Sequence, residues 1–205
     1  MNELIREERL KVHQDQQHMV NPQAHLKNWR DANHFEFAKQ AFTEPSRILD
    51  IGCYDSWLDF LLIEQGHSVL GIELRDELVL SARIYAHEHK IPSTRYRIRQ
   101  GFWDEISLIE EDPFDAVIAF EVLEHMPLET MDLTIRKAEQ CLNKNGLMLV
   151  SLPVQDNSKN AQHLWSPSQN LVMSLWGHKS EFSMDLCSYF GTNVPNNLLI
   201  SWRVS

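Results

Sequence analysis

Glycine is scarce in this sequence, with 7 among 205 residues. The shortage matters most at one place. The stretch RILDIGCYDSW, Arg47 to Trp57, reads as a buried strand running into a helix. A corner of this kind that cradles a pyrophosphate wants GxGxxG, because glycine lets the backbone approach the phosphates. Here the pattern fails after its first glycine, Gly52, and in the tighter spacing GxGxG it is Tyr54 and Ser56 that stand where the next two glycines are expected. A dinucleotide cofactor is therefore disfavoured.

Other absences narrow the class. The three cysteines, Cys53, Cys141 and Cys187, lie far apart and no CxxC occurs, so a disulfide framework is excluded and a reducing, cytoplasmic setting is expected. Basic residues are outnumbered, 19 Lys and Arg against 29 Asp and Glu. That balance argues against broad nucleic-acid binding, though not against a site for one nucleotide. No apolar run approaches membrane-spanning length, and the charged opening MNELIREERLK lacks the apolar core of a signal peptide.

What is present is an alternation of strand and helix signals. A polar segment over 2–18 is expected to be helical, and a helix is expected over 23–42, closed by TEPS. Then come a strand at 47–51, a helix at 55–65 stopped by Gly66, a strand at 68–74 and a helix opened by Asp76. Strands follow at 94–100 and 114–120, a helix over about 128–143, and a strand at 147–152 after the turn Asn145-Gly146. Ser166-Pro167-Ser168-Gln169 reads as a capping box opening a helix that Gly177 ends, and two strands close the chain near 185–191 and 197–203. Strands alternating with helices imply an α/β doubly wound, mostly parallel sheet. The last two strands leave no room for a helix between them, so they form a hairpin and one runs antiparallel. Arg95, Arg97 and Arg99 share one face of the third strand. Two readings stand, a phosphate-binding stripe or an edge strand guarded by charge.

In such sheets ligands sit at the carboxyl ends of the strands, where the order reverses. The turn at 50–56 lies there. Glu73 ends the second strand about twenty residues on, placed to accept hydrogen bonds from both ribose hydroxyls of an adenosine group. S-adenosylmethionine carries adenosine without a phosphate and has less need of three glycines. ILDIGC, GIEL, FDAVIAFEVLEHM and LNKNGLMLVSLP complete the pattern, and over roughly 45–205 the chain resembles the class I S-adenosylmethionine-dependent methyltransferases.

The resemblance implies a Rossmann-like seven-stranded sheet of order 3-2-1-4-5-7-6 with strand 7 antiparallel, here preceded by an N-terminal helical extension over 1–45. It implies that Asp50 orients the turn by hydrogen bonding, that Gly52 and Cys53 contact the methionine part of the cofactor, and that Glu73 holds the ribose. Phe102, Trp103 and Asp104, in GFWDE, fall near the adenine, and Trp103 is also readable as a core residue. Tyr54 fits if its φ stays negative and its ring points outward. Ser56 is placed to cap the following helix.

FEVLEHMP sets Glu121, Glu124 and His125 past the fourth strand, and a helical course would put all three on one face. His163 follows the fifth strand at the same edge. This group is similar to the metal site of ubiquinone-biosynthesis O-methyltransferases and small-RNA 2′-O-methyltransferases. Glu121, Glu124, His125 and His163 are thus candidate ligands for Mg²⁺, Mn²⁺, Zn²⁺ or Fe²⁺. In relatives without a metal, Glu121 touches the cofactor's surroundings. His125 or His163 is the candidate general base for a hydroxyl acceptor, and the other eight histidines receive no role. The segments 1–45 and 154–185, rich in Trp, His, Gln and Asn, are candidates for a lid over a polar small-molecule or glycan-like acceptor. The alternatives are a noncatalytic binding module of the same fold and, less favoured, a nicotinamide-dependent oxidoreductase.

Overall fold

The computed structural model describes residues 19–154, 163–165, 167–188 and 195–204. The helix expected over 2–18 and the capping position Ser166 lie outside them. Short apolar runs become strands and amphipathic segments become the helices that cover them. In chain order these are α1 (Pro22–His25), α2 (Trp29–Ala41), β1 (Arg47–Ile51), α3 (Trp57–Glu64), β2 (Ser68–Glu73), α4 (Asp76–Glu88), β3 (Tyr96–Gln100) and β4 (Phe114–Phe120). Then follow α5 (Met131–Gln140), β5 (Leu142–Pro153), α6 (Gln169–Trp176), β6 (Ser180–Ser188) and β7 (Pro195–Arg203). The strands form one sheet of order β3-β2-β1-β4-β5-β7-β6. The first five are parallel to one another, while β7 runs antiparallel to both β5 and β6. Order and direction match the expectation.

The sheet is packed on both faces. On one side Ile48, Ile118 and Leu149 meet Phe35 of α2, Phe60 and Leu61 of α3 and Val79 of α4. On the other, Leu49, Val117 and Val150 meet Met131 and Ile135 of α5 and Val172 and Trp176 of α6. Successive residues of one strand thus serve opposite cores, as the pleat requires. Phe60, Trp176 and Trp202 are almost wholly enclosed, each burial contributing about 1.5–3 kcal/mol.

Several boundaries differ from expectation for local reasons. The single helix expected over 23–42 is two, because the Asn28 side chain accepts the Arg30 N–H at 2.9 Å and caps α2 afresh. The cap of α6 is Ser168, whose Oγ accepts the Leu171 N–H at 3.3 Å. Asp76 is the first residue of α4 rather than its cap. The helix expected over 128–143 divides into a 3₁₀ turn (Leu128–Thr130) and α5. β5 begins early, at Leu142, and a register shift opposite Phe114 and Ala116 absorbs the Asn145-Gly146 turn. β3 is an edge strand, and its arginines are engaged. Arg97 and Arg99 converge with Arg47 on Glu111, while Arg95 donates to the carbonyls of His67 and Ile63. Among the described residues no helix is long and apolar enough to cross a membrane.

Candidate active site

The turn between β1 and α3 keeps a glycine-type backbone with one glycine. Gly52, Tyr54 and Ser56 all have positive φ, at 74°, 56° and 62°. Glycine is obligatory only at 52, where a Cβ would stand 2.5 Å from Cγ2 of Val122. The turn is pinned by the N–H groups of Gly52 and Cys53, which both donate to the Ile72 carbonyl of β2, at 2.8 and 3.1 Å. That anchoring corrects the expectation of a negative φ at Tyr54, whose ring does point outward. Ser56 is corrected too. It does not cap α3, because its left-handed backbone turns Oγ toward Tyr96, whose hydroxyl donates to it at 2.6 Å. Asp55 takes over locally, its Oδ1 accepting the Trp57 N–H at 3.2 Å.

Glu73 stands across from this turn at the end of β2, 8% exposed. Its Oε2 accepts the Tyr54 N–H at 3.1 Å and its Oε1 accepts the Arg75 N–H at 2.9 Å. Burial raises its pKa, and these N–H groups and the Arg75 charge oppose the rise. Behind the turn, the buried carboxyl of Asp50 is electrostatically coupled to the buried carboxyl of Asp59 on α3. Burial lifts Asp50 to about 7. Asp59 is fully buried and pushed well above the carboxylate range by burial and by the Asp50 charge. Burial and mutual repulsion both favour a protonated form of this pair. Gly71 of β2 makes the room, since a Cβ there would lie 2.7 Å from Sγ of Cys53 and 3.0 Å from Oδ2 of Asp59.

A polar seam joins the N-terminal helices to the carboxyl edge of the sheet. His25 of α1 donates to Asp31 at 2.8 Å and to Asp55 at 3.3 Å, and stacks on Trp57 with ring centroids 4.9 Å apart. Burial pulls its pKa down, but the two carboxylates outweigh that and bring it to about 9. Arg30 lies between Asp31 (3.2 Å) and Glu121 (3.9 Å). Further along, the Asn197 amide of β7 meets Nε2 of His34 at 3.3 Å, and burial lowers that imidazole to about 3. Neither His25 nor Arg30 carried a sequence signal for its contact with the sheet edge, because Asp55 and Glu121 are remote in the chain.

The Glu-Glu-His group divides. Glu121 sits at φ 53° immediately after β4, and its carboxylate turns to the Ser151 hydroxyl (3.1 Å) and Arg30. The next residues form a 3₁₀ turn (Leu123–His125), so the expected helical face shared with Glu121 does not form. Glu124, His125 and His163 do come together, with ligand-type atoms within 4.8 Å of one another. His163 is brought in by the Leu164 N–H on the Glu124 carbonyl (2.8 Å) and by Trp165 Nε1 on the Leu123 carbonyl (3.2 Å). Near the expected adenine position Phe102 is buried and Asp104 exposed. Trp103 packs into the core beneath α5, with Lys137 Nζ 4.5 Å above its ring.

Comparison with known proteins agrees with this geometry. The family described as "Methyltransferase domain" matches residues 21–190. The ubiquinone biosynthesis O-methyltransferase of Azorhizobium caulinodans is 35% identical over 105 residues, covering 51% of this chain and 39% of that protein. The matched stretch thus spans well under half the length of that relative. Magnesium protoporphyrin IX methyltransferase from Synechocystis, solved with bound S-adenosylmethionine, superposes with a TM-score of 0.63 at 16% identity, covering 97% of this chain and 90% of that one. The cyclase SpnF superposes at 0.69 with 14% identity, covering 84% and 80%. A sheet of order 3-2-1-4-5-7-6, a glycine-type turn faced by an acidic strand end, and a family match over most of its length place this chain among the class I S-adenosylmethionine-dependent methyltransferases.

Proposed function

We propose that this chain transfers the methyl group of S-adenosylmethionine to an oxygen of a small-molecule or glycan-like acceptor. The observation that carries the reading is the turn at 52–56, held in a glycine-type conformation opposite the fixed carboxylate of Glu73. In this reading the backbone of Gly52 and Cys53 receives the methionine part of the cofactor. Glu73 accepts from the ribose hydroxyls, and Phe102 packs near the adenine. Asp50 supports the turn from behind through its coupling to Asp59. Arg30 is the cation placed to meet the methionine carboxylate, and Glu121 beside it suits the ammonium. The acidic surroundings, Asp31, Asp50, Asp55, Glu73 and Glu121, favour a ligand that carries a sulfonium over one that carries phosphates.

The chemistry is an in-line displacement. An acceptor oxygen attacks the methyl carbon, the carbon–sulfur bond breaks, and the electron pair leaves on sulfur as the neutral thioether. The sulfonium is already activated, so the protein mainly supplies proximity and alignment. The hydroxyl proton needs a base, and His125 and His163 stand at the same edge, ring centroids 4.9 Å apart. Glu124, His125 and His163 also suit a divalent cation by donor type and spacing, which when bound would lower the pKa of a coordinated hydroxyl. Residues 19–45, joined to the turn through His25, serve in this reading as part of the acceptor-side cover. An oxygen acceptor is supported by the name of the curated relative from Azorhizobium caulinodans.

The test is calorimetric titration with S-adenosylmethionine and S-adenosylhomocysteine, with Glu73→Ala alongside, followed by methyl transfer to phenols and sugars. Micromolar binding that weakens at least about tenfold in the variant is expected. Tight binding with no transfer to any acceptor would point instead to a noncatalytic module.

A further inference from the structure

Tyr54 presents an anomaly. A bulky side chain at φ 56° is an outlier, and glycine would hold this turn without strain. Such strain persists where the side chain has a task. The ring is not a core residue, being 38% exposed. It lies instead against the guanidinium of Arg75, whose Cζ is 4.9 Å from the ring centroid. Arg75 in turn holds Glu73. Its backbone N–H donates to Oε1 at 2.9 Å, and its Nε approaches the same oxygen at 3.5 Å. The Tyr54 N–H donates to the other oxygen. Tyr54 therefore reaches the carboxylate twice, directly through its backbone and indirectly through its ring.

We propose that Tyr54 and Arg75 form a clasp that positions Glu73 for the adenosine ribose. The ring holds the guanidinium, the guanidinium and two N–H groups hold both carboxylate oxygens, and the ribose hydroxyls meet an acceptor whose plane cannot rotate. The positive φ is what makes this possible. With it the Tyr54 ring lies outward against the Arg75 guanidinium, at the approach to α4. Tyr54 and Arg75 are positioning residues, acting through Glu73. The inference rests on the reading of Glu73 as the ribose acceptor.

The test is calorimetric titration of the full chain with S-adenosylhomocysteine, together with thermal unfolding of the free protein. Wild type is compared with Tyr54→Gly, Tyr54→Phe, Arg75→Ala and the Tyr54→Gly/Arg75→Ala double variant. Tyr54→Gly relieves the backbone, so its Tm is expected to equal or exceed that of wild type while its affinity falls about fivefold. Tyr54→Phe keeps the ring and is expected to keep the affinity. The double variant is expected to bind no more weakly than Arg75→Ala alone, because the two residues act as one unit. Unchanged affinity in Tyr54→Gly, or fully additive losses in the double variant, would overturn the clasp. Failure of the underlying reading has its own signature, an affinity that Glu73→Ala leaves unchanged, and that result overturns both.

Discussion

His25 and Asp55 are 30 residues apart in the chain and 3.3 Å apart in space, and their contact ties the N-terminal helices to the turn between β1 and α3. The same imidazole holds Asp31 at 2.8 Å. One side chain thus links a segment before the first strand to the loop after it.

The latch carries a pH signature. His25 has a pKa of about 9 in the folded chain against an ordinary 6.5. A group raised on folding contributes stability that is fully present below the unfolded value and lost as pH rises through the folded one. Wild type is therefore expected to lose stability between about pH 6.5 and 9 relative to His25→Ala. At pH 6 the variant is expected to be less stable by about 1–2 kcal/mol. Thermal unfolding across that range measures it, and parallel curves for the two proteins would rule the charged latch out.

The acid pair behind the turn has a slope of the same sign in a lower window. Asp50 is raised to about 7, and Asp59 well above the carboxylate range. Between the unfolded value near 4 and the folded one the native chain binds more protons, so stability falls as pH rises through that window. Asp59→Asn supplies a donor without a titrating proton. It is expected to stabilise the protein by about 1–3 kcal/mol at pH 8, and by less at pH 5. A variant no more stable than wild type at pH 8 would show that the pair is not held in a protonated form.

Gly52 fails differently from Tyr54. Gly52→Ala meets both a positive φ and the branched Val122 side chain, with Cγ2 at 2.5 Å and Cβ at 2.9 Å from the new atom. A loss of about 2–4 kcal/mol and of most cofactor affinity is expected. Adding Val122→Ala should return part of the stability, since it removes the clash and leaves the backbone strain. No recovery in the double variant would mean that φ alone sets the cost.

The edge cluster makes a prediction about which carboxylate matters. Titration with Mn²⁺ or Zn²⁺ is expected to reveal a site weakened at least about tenfold by Glu124→Ala, His125→Ala or His163→Ala. Glu121→Ala is expected to leave metal affinity intact, because Glu121 is held by Ser151 and Arg30. Equal losses from Glu121 and Glu124 would restore the four-ligand arrangement implied by the sequence alone.

How far the sequence was legible depends on the range of the forces involved. Where apolar periodicity and local turn chemistry decide, the reading held. FDAVIAF read as a strand from its almost wholly apolar run, and the short connection between the last two strands required a hairpin with one strand antiparallel, which is β7. The cap of α6 was legible to within two residues, because Ser168 acts on an N–H three positions away, whereas the Asn28 cap that splits the helix expected over 23–42 was not read. The acidic end of β2 and the turn facing it were legible as a pair from spacing along two adjacent strands.

The sequence by itself thus determined the alternation and the terminal hairpin, since these follow from periodicity and chain connectivity, while the sheet order came from the resemblance to the methyltransferases. Tertiary structure decided the rest. It set the sign of φ at Tyr54 and Ser56, because hydrogen bonds to Ile72 and Tyr96 outweigh local preference there. It drew Glu121 out of the Glu-Glu-His group toward Ser151 and Arg30, engaged Arg97 and Arg99 on Glu111, and brought His25 to Asp55. Each of these outcomes depends on a partner distant in the chain, and a charge or hydrogen bond acts through space over a few ångströms, a distance that sequence separation does not measure.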